Sequence, residues 1–150
     1  MKRTILVPLF ICISFLNMGF IGKPKLQGLY CSVEKNLNTK SFEDKWKDYP
    51  WIYDVKTGKL YDYDEFLNEI NPLEYDKVGD YSYSYKSRII DNILKIRETE
   101  TSPFKDEVVG MYSINLDKNK SSYNTEENPK DITTTTCEKI DLPKAVKINY

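Results

Sequence analysis

Tyr81, Tyr83 and Tyr85 alternate with serines in the run "VGDYSYSYKS". Successive side chains of a strand point to opposite faces, so this spacing puts all three rings on one side. A second aromatic set lies in "PWIYDVKTGKLYDYD", with Trp51, Tyr53, Tyr61 and Tyr63. Tyrosine and tryptophan join a flat apolar ring to a polar tip, which suits stacking on a sugar or contact with a partner protein. These seven residues are the candidate ligand-binding set. The competing reading is that they fill a small core. The chain has 12 tyrosines but one alanine and three methionines, so other apolar fillers are scarce. Its 19 lysines and many asparagines and isoleucines also have AT-rich codons, which inflate tyrosine without selection for binding. On balance Tyr81, Tyr83 and Tyr85 are read as one row of an aromatic core. The serines then face water and Tyr81 reaches the surface.

Other chemistries find little support. The chain contains no histidine, which removes Ser-His-Asp and Cys-His catalysis and histidine-based zinc sites. No glycine-rich phosphate loop occurs. Asp54, Asp62 and Asp64 could in principle hold Ca²⁺ through oxygen ligands, but no spacing resembles an EF-hand loop, and a solvated acidic face is the simpler reading. A carboxylate-dependent hydrolase is the weakest alternative, because nothing singles out two of the 23 acidic residues. The expectation is therefore a non-enzymatic protein with no catalytic residues, no metal and no cofactor.

The N-terminus indicates where the protein works. Lys2 and Arg3 precede an uncharged, mostly apolar run from Ile5 to Gly22. This is the pattern of an export signal, spanning residues 1–22. No A-x-A cleavage site is present, and the run is long enough to span a bilayer, so an uncleaved N-terminal anchor is the alternative. Either way the remainder is expected outside the cytoplasm: periplasmic, secreted, or anchored facing outward. Cys12 lies inside the apolar run, which leaves Cys31 and Cys137. An isolated pair in an oxidising compartment is expected to form a disulfide. Tyr30 before Cys31 is too bulky for a lipid-attachment site. Without Lys2 and Arg3, 20 basic residues face 23 acidic ones. No basic surplus exists to hold phosphates, so nucleic acid is excluded as a partner. An envelope protein or a glycan fits better, and the membrane enters only through the N-terminal segment.

These residues need elements to position them. Leu26 to Val33 reads as a first strand. Ser41, with Asp44 three residues on, can cap a helical turn holding Phe42 and Trp46. A three-residue loop, Lys56 to Gly58, makes a hairpin in which Tyr53 faces Tyr61 and Trp51 faces Tyr63. "DVKTGK" and "NLDKNK" repeat this turn, with Asn119 in the place of Gly58; Leu116 then faces Lys120 and Ile114 faces Ser122. Asp64 to Asn71 reads as a short helix ended by Pro72. The stretch "RIIDNILKIRETE" fits either a helix or a hairpin turning at Asp91-Asn92. Its isoleucines favour the hairpin, which puts Tyr85, Ile89, Leu94 and Ile96 on one face. The threonine-rich segment around Cys137 reads as a last strand. The sum is a mainly β fold: an antiparallel meander of seven or eight short strands, curled or barrel-like, with one or two helical turns. A single β-domain spans residues 26–142, and 143–150 form a loosely held tail.

Overall fold

The computed structural model describes residues 22–32, 37, 39–48 and 50–150. The N-terminal apolar run through residue 21, and with it the signal or anchor, lies outside the described residues. Among the described residues, eleven strands follow one another along the chain, with a short helix between the first two: β1 Leu26–Ser32, α1 Phe42–Lys47, β2 Trp51–Asp54, β3 Leu60–Asp64, β4 Glu69–Pro72, β5 Tyr75–Val78, β6 Tyr81–Ile90, β7 Ile93–Ser102, β8 Lys105–Asn115, β9 Lys120–Thr125, β10 Thr133–Ile140 and β11 Lys147–Ile148. They form one sheet in the order β11-β4-β3-β2-β1-β10-β9-β8-β7-β6-β5. Every pairing is antiparallel except β11 on β4. The mainly β expectation holds, with more strands than foreseen.

Three hairpin turns share one chemistry. Asp54 Oδ1 accepts hydrogen bonds from Lys56 N, Thr57 N and Thr57 Oγ1 at 2.8–3.0 Å. Asp64 Oδ1 accepts from Phe66 N and Leu67 N, and Asn115 Oδ1 from Asp117 N and Lys118 N. Four residues after each acceptor the chain turns left-handed, at Gly58 (φ 78°), Asn68 (φ 51°) and Asn119 (φ 53°). Only glycine and a few short polar residues adopt this conformation readily. The side-chain acceptor adds a residue to each loop, so the loops have four residues and the expected register is off by one. Tyr53 faces Leu60 and Ile52 faces Tyr61. Asn115 faces Lys120 and Ile114 faces Ser121. A one-residue slip sends every side chain to the opposite face. The aromatic face expected to hold Trp51, Tyr53, Tyr61 and Tyr63 together is therefore split in two.

The same turn overturns the helix expected over Asp64 to Asn71, where β3 and β4 form a hairpin. At Asp54, burial pushes the carboxyl up, but the hydrogen bonds from Thr57 and Lys56 outweigh it and hold the carboxyl below its ordinary range. Replacing Asp54 with Ala strands two backbone N–H groups and should lower stability by roughly 2 kcal/mol. Asp54→Asn keeps an acceptor and should recover most of that in denaturant melts.

The Asp91-Asn92 hairpin is present. Both residues have positive φ, and Ile90 faces Ile93 across a two-residue turn. Ser41 caps α1 by accepting from Asp44 N. The tail departs from expectation. Val146 and Ile148 pack on a core cluster, β11 joins β4, Lys147 pairs with Glu69, and Asn149 Nδ2 donates to Glu69 and Asn71.

The sheet curls because the chain bridges its two halves between β4 and β5. Leu73 N donates to Leu60 O on β3, while Glu74 O accepts from Tyr85 N on β6, both at 3.0 Å. Inside the curl, Leu29, Tyr53, Leu60, Leu94, Ile96, Ile114, Leu116 and Cys137 form one buried cluster. Tyr85 and Ile89 border it, as the hairpin reading of their strands required. On the outer face of β1–β4 and the end of β10, Tyr30, Ile52, Tyr61, Ile70 and Ile140 form a second cluster beneath Trp46 of α1. Cys31 and Cys137 are bonded. They sit directly opposite on β1 and β10. Cys137 N is directed to Asn119 O on the other side of its strand, so the two cysteines form a close, non-hydrogen-bonded pair, with Cα atoms 4.0 Å apart. The bond fits an oxidising environment.

Candidate functional site

The cleft lies where β3 and β5 part. After the Leu73–Glu74 corner the chain pairs with β6 but not with β3. A concavity of about 460 Å³ opens between them, lined by Trp51, Tyr61, Asp62, Leu73, Asp76, Val78, Tyr83, Tyr85, Glu98 and Tyr112, with Pro50 at its edge. Strand alternation explains most of this set. Asp62 is two residues from Leu60, Glu98 two from Ile96 and Tyr112 two from Ile114, and those three neighbours are fully buried inside the curl. β3, β7 and β8 thus each supply apolar filling to the core and a polar or aromatic group at the mouth.

The rings are held by one another. Trp51 meets Tyr112 edge-on at a centroid separation of 5.1 Å, and Tyr112 leans on Tyr123 at 4.6 Å. Gly110 makes room for Tyr123, since a Cβ there would come within 2.9 Å of its ring. Tyr85, Glu98 and Tyr112, on β6, β7 and β8, stand together in the lining of the cleft. Glu98 is half-buried, and that burial pushes its carboxyl above the ordinary range. The charge of Glu100 adds to the rise, while the two tyrosine hydroxyls oppose it. Asp62 is pushed the same way, first by desolvation and then by the charges of Asp76 and Asp64. Tyr85 and Tyr112 are raised in turn, first by burial and then by the Glu98 charge.

Of the candidate residues, the structure brings Trp51, Tyr83 and Tyr85 to this cleft, and Tyr61 borders it while packing in the outer cluster. Tyr53 is 2% exposed and belongs to the inner core. Tyr63 lies on the outer face, edge-on to Trp46 at 5.3 Å, and donates to Asn68 Oδ1. Tyr81 reaches the surface at 41% exposure and does not line the cleft. Tyr83 and Tyr85 are half-buried, neither a core row nor an open platform; Ser84 is exposed and Ser82 is half-buried.

Tyr112, Asp76 and Glu98 did not stand out in the sequence. A signal for Glu98 existed: an acid continuing the inward alternation Leu94, Ile96, Glu98 is a charge aimed at a core. Asp54 and Asp64 are occupied by their turns, so the acidic triad with Asp62 does not converge. Among the described residues no group of three or more His, Cys, Asp or Glu is arranged to hold a metal ion. Among them, too, no helix is long and apolar enough to cross a membrane. No family, curated protein or solved structure matches the chain.

Proposed function

We propose that the protein is an exported, non-enzymatic β-domain that binds a small ligand in the cleft between β3 and β5. The observation behind this reading is that Trp51, Tyr83, Tyr85 and Tyr112 come from three different strands, β2, β6 and β8, yet border one open concavity. A pocket of a few hundred cubic ångströms with aromatic walls and a few converging polar groups is the usual form of a small-molecule site. Export is supported by the disulfide and by the basic, then apolar, N-terminus. An envelope glycan or a small soluble metabolite would both be met there.

The chain has two tryptophans, and Trp46 is buried on the outer face. A Trp46→Phe variant therefore leaves Trp51 emission as a reporter of the cleft alone. Titration with a panel of cellotetraose, chitotetraose and choline should shift that emission saturably for at least one probe. Tyr83→Ala should weaken that probe about tenfold or more, as loss of one stacking ring implies. An unchanged spectrum across the panel, or saturation untouched by Tyr83→Ala, would count against the proposal.

A further inference from the structure

We infer that the ligand is an organic cation, an alkylammonium group held between the aromatic rings and carboxylates of the cleft. This rests on the reading of the cleft as a ligand site and names the chemistry that fits it. Three residues lining the cleft are carboxylates, Asp62, Asp76 and Glu98, and none is lysine or arginine. The faces of tryptophan and tyrosine rings carry negative charge density, and they attract a cation most strongly when water is displaced. Rings and carboxylates thus favour the same sign of charge. An anion would be repelled, and a neutral sugar would cover the acids without pairing them.

Size and geometry narrow the class further. The carboxylates do not cluster tightly enough to coordinate a metal ion. The concavity, at about 460 Å³, suits a molecule rather than a single ion. Glu98 lines the cleft together with Tyr85 and Tyr112, so one carboxylate stands beside two rings. Burial pushes the Glu98 carboxyl upward, and a bound ammonium group would oppose that shift by favouring the carboxylate.

The test uses the disulfide-bonded Trp46→Phe protein and three probes: choline, its uncharged isostere dimethylbutanol, and neutral cellotetraose. Choline should bind at least tenfold more tightly than dimethylbutanol, the ratio expected when a cation–π contact is desolvated. Glu98→Gln should weaken choline about tenfold and leave dimethylbutanol unchanged. Asp62→Asn, on the solvent side of the cleft, serves as the second variant should Glu98→Gln disturb folding. Equal binding of choline and dimethylbutanol, or binding of cellotetraose alone, overturns the cation and leaves the cleft as a ligand site. No binding by any probe overturns both readings. Choline binding that survives both substitutions overturns the role given to these carboxylates. Sedimentation with phosphatidylcholine vesicles separates the sources: co-pelleting points to a lipid headgroup, and choline binding without it points to a free amine.

Discussion

Reducing the Cys31–Cys137 bond, or replacing both cysteines with serine, should lower the unfolding free energy by about 4–5 kcal/mol. The cysteines are 106 residues apart. In the chain-entropy account a loop of that length restricts the unfolded chain by about this amount, less any strain in the native bond. Small domains are stable by only about 5–15 kcal/mol, so most of the margin is at stake. The position of the bond adds to its effect. β1 and β10 are where the half of the sheet built from β1–β4 meets the half built from β5–β10. Apart from that pairing, the halves are joined by the Leu73–Glu74 corner and by the inner core cluster. Guanidinium unfolding with and without reductant measures the difference, and intact mass confirms that reduction adds two hydrogens. A loss below about 1 kcal/mol would show that the crosslink does little to restrict the unfolded chain.

Gly58→Ala should be the most damaging single substitution in a turn, at roughly 3 kcal/mol or more. Two costs add there. Gly58 has φ 78°, which costs a residue with a Cβ about 1–2 kcal/mol. A Cβ would also lie 2.8 Å from the backbone carbon of Arg88 and the nitrogen of Ile89. Those are main-chain atoms of β6 and cannot swing aside as a side chain could, so overpacking adds a further 1–3 kcal/mol or so. Gly79 provides the control. It also has positive φ, at 62°, but an added Cβ would meet nothing within 4 Å. Gly79→Ala should therefore cost only about 1 kcal/mol, the conformational part alone. If the two substitutions proved equally costly, the close approach of the β2–β3 turn to β6 would be refuted.

The sequence made the elements legible and hid their registers. Alternation and isoleucine content pointed correctly to strands around Tyr81–Ile90 and Ile93–Ser102, because period-two patterning reports a half-buried strand directly. Cys31 and Cys137 were legible because only two cysteines remain outside the apolar run. The hairpin loops are one residue longer than Gly58 and Asn119, at the end of each turn, suggest by themselves. The residue that sets the loop length stands at its start, in Asp54, Asp64 and Asn115. A pattern of Asp or Asn followed four residues later by Gly or Asn would have found all three turns. It would also have removed the helix after Asp64.

That one-residue error explains most of what was missed at the site. With the wrong register, Trp51, Tyr53, Tyr61 and Tyr63 looked like one aromatic wall. With the right one, Trp51 turns toward partners from distant strands, Tyr83 and Tyr85 on β6 and Tyr112 on β8. Those contacts depend on how far the sheet curls. The curl is set by the Leu73–Glu74 corner, whose backbone bonds leave no mark in residue type.

The most direct test of the cleft as a ligand site is to map where a bound probe sits. Amide shifts of the isotope-labelled, disulfide-bonded protein should be followed as choline is added to saturation. The predicted result is a set of perturbations confined to Trp51, Asp62, Asp76, Tyr83, Tyr85, Glu98 and Tyr112, on six different strands around one opening. Shifts centred instead on the outer face around Trp46 and Tyr63, or scattered over the surface, would contradict the account.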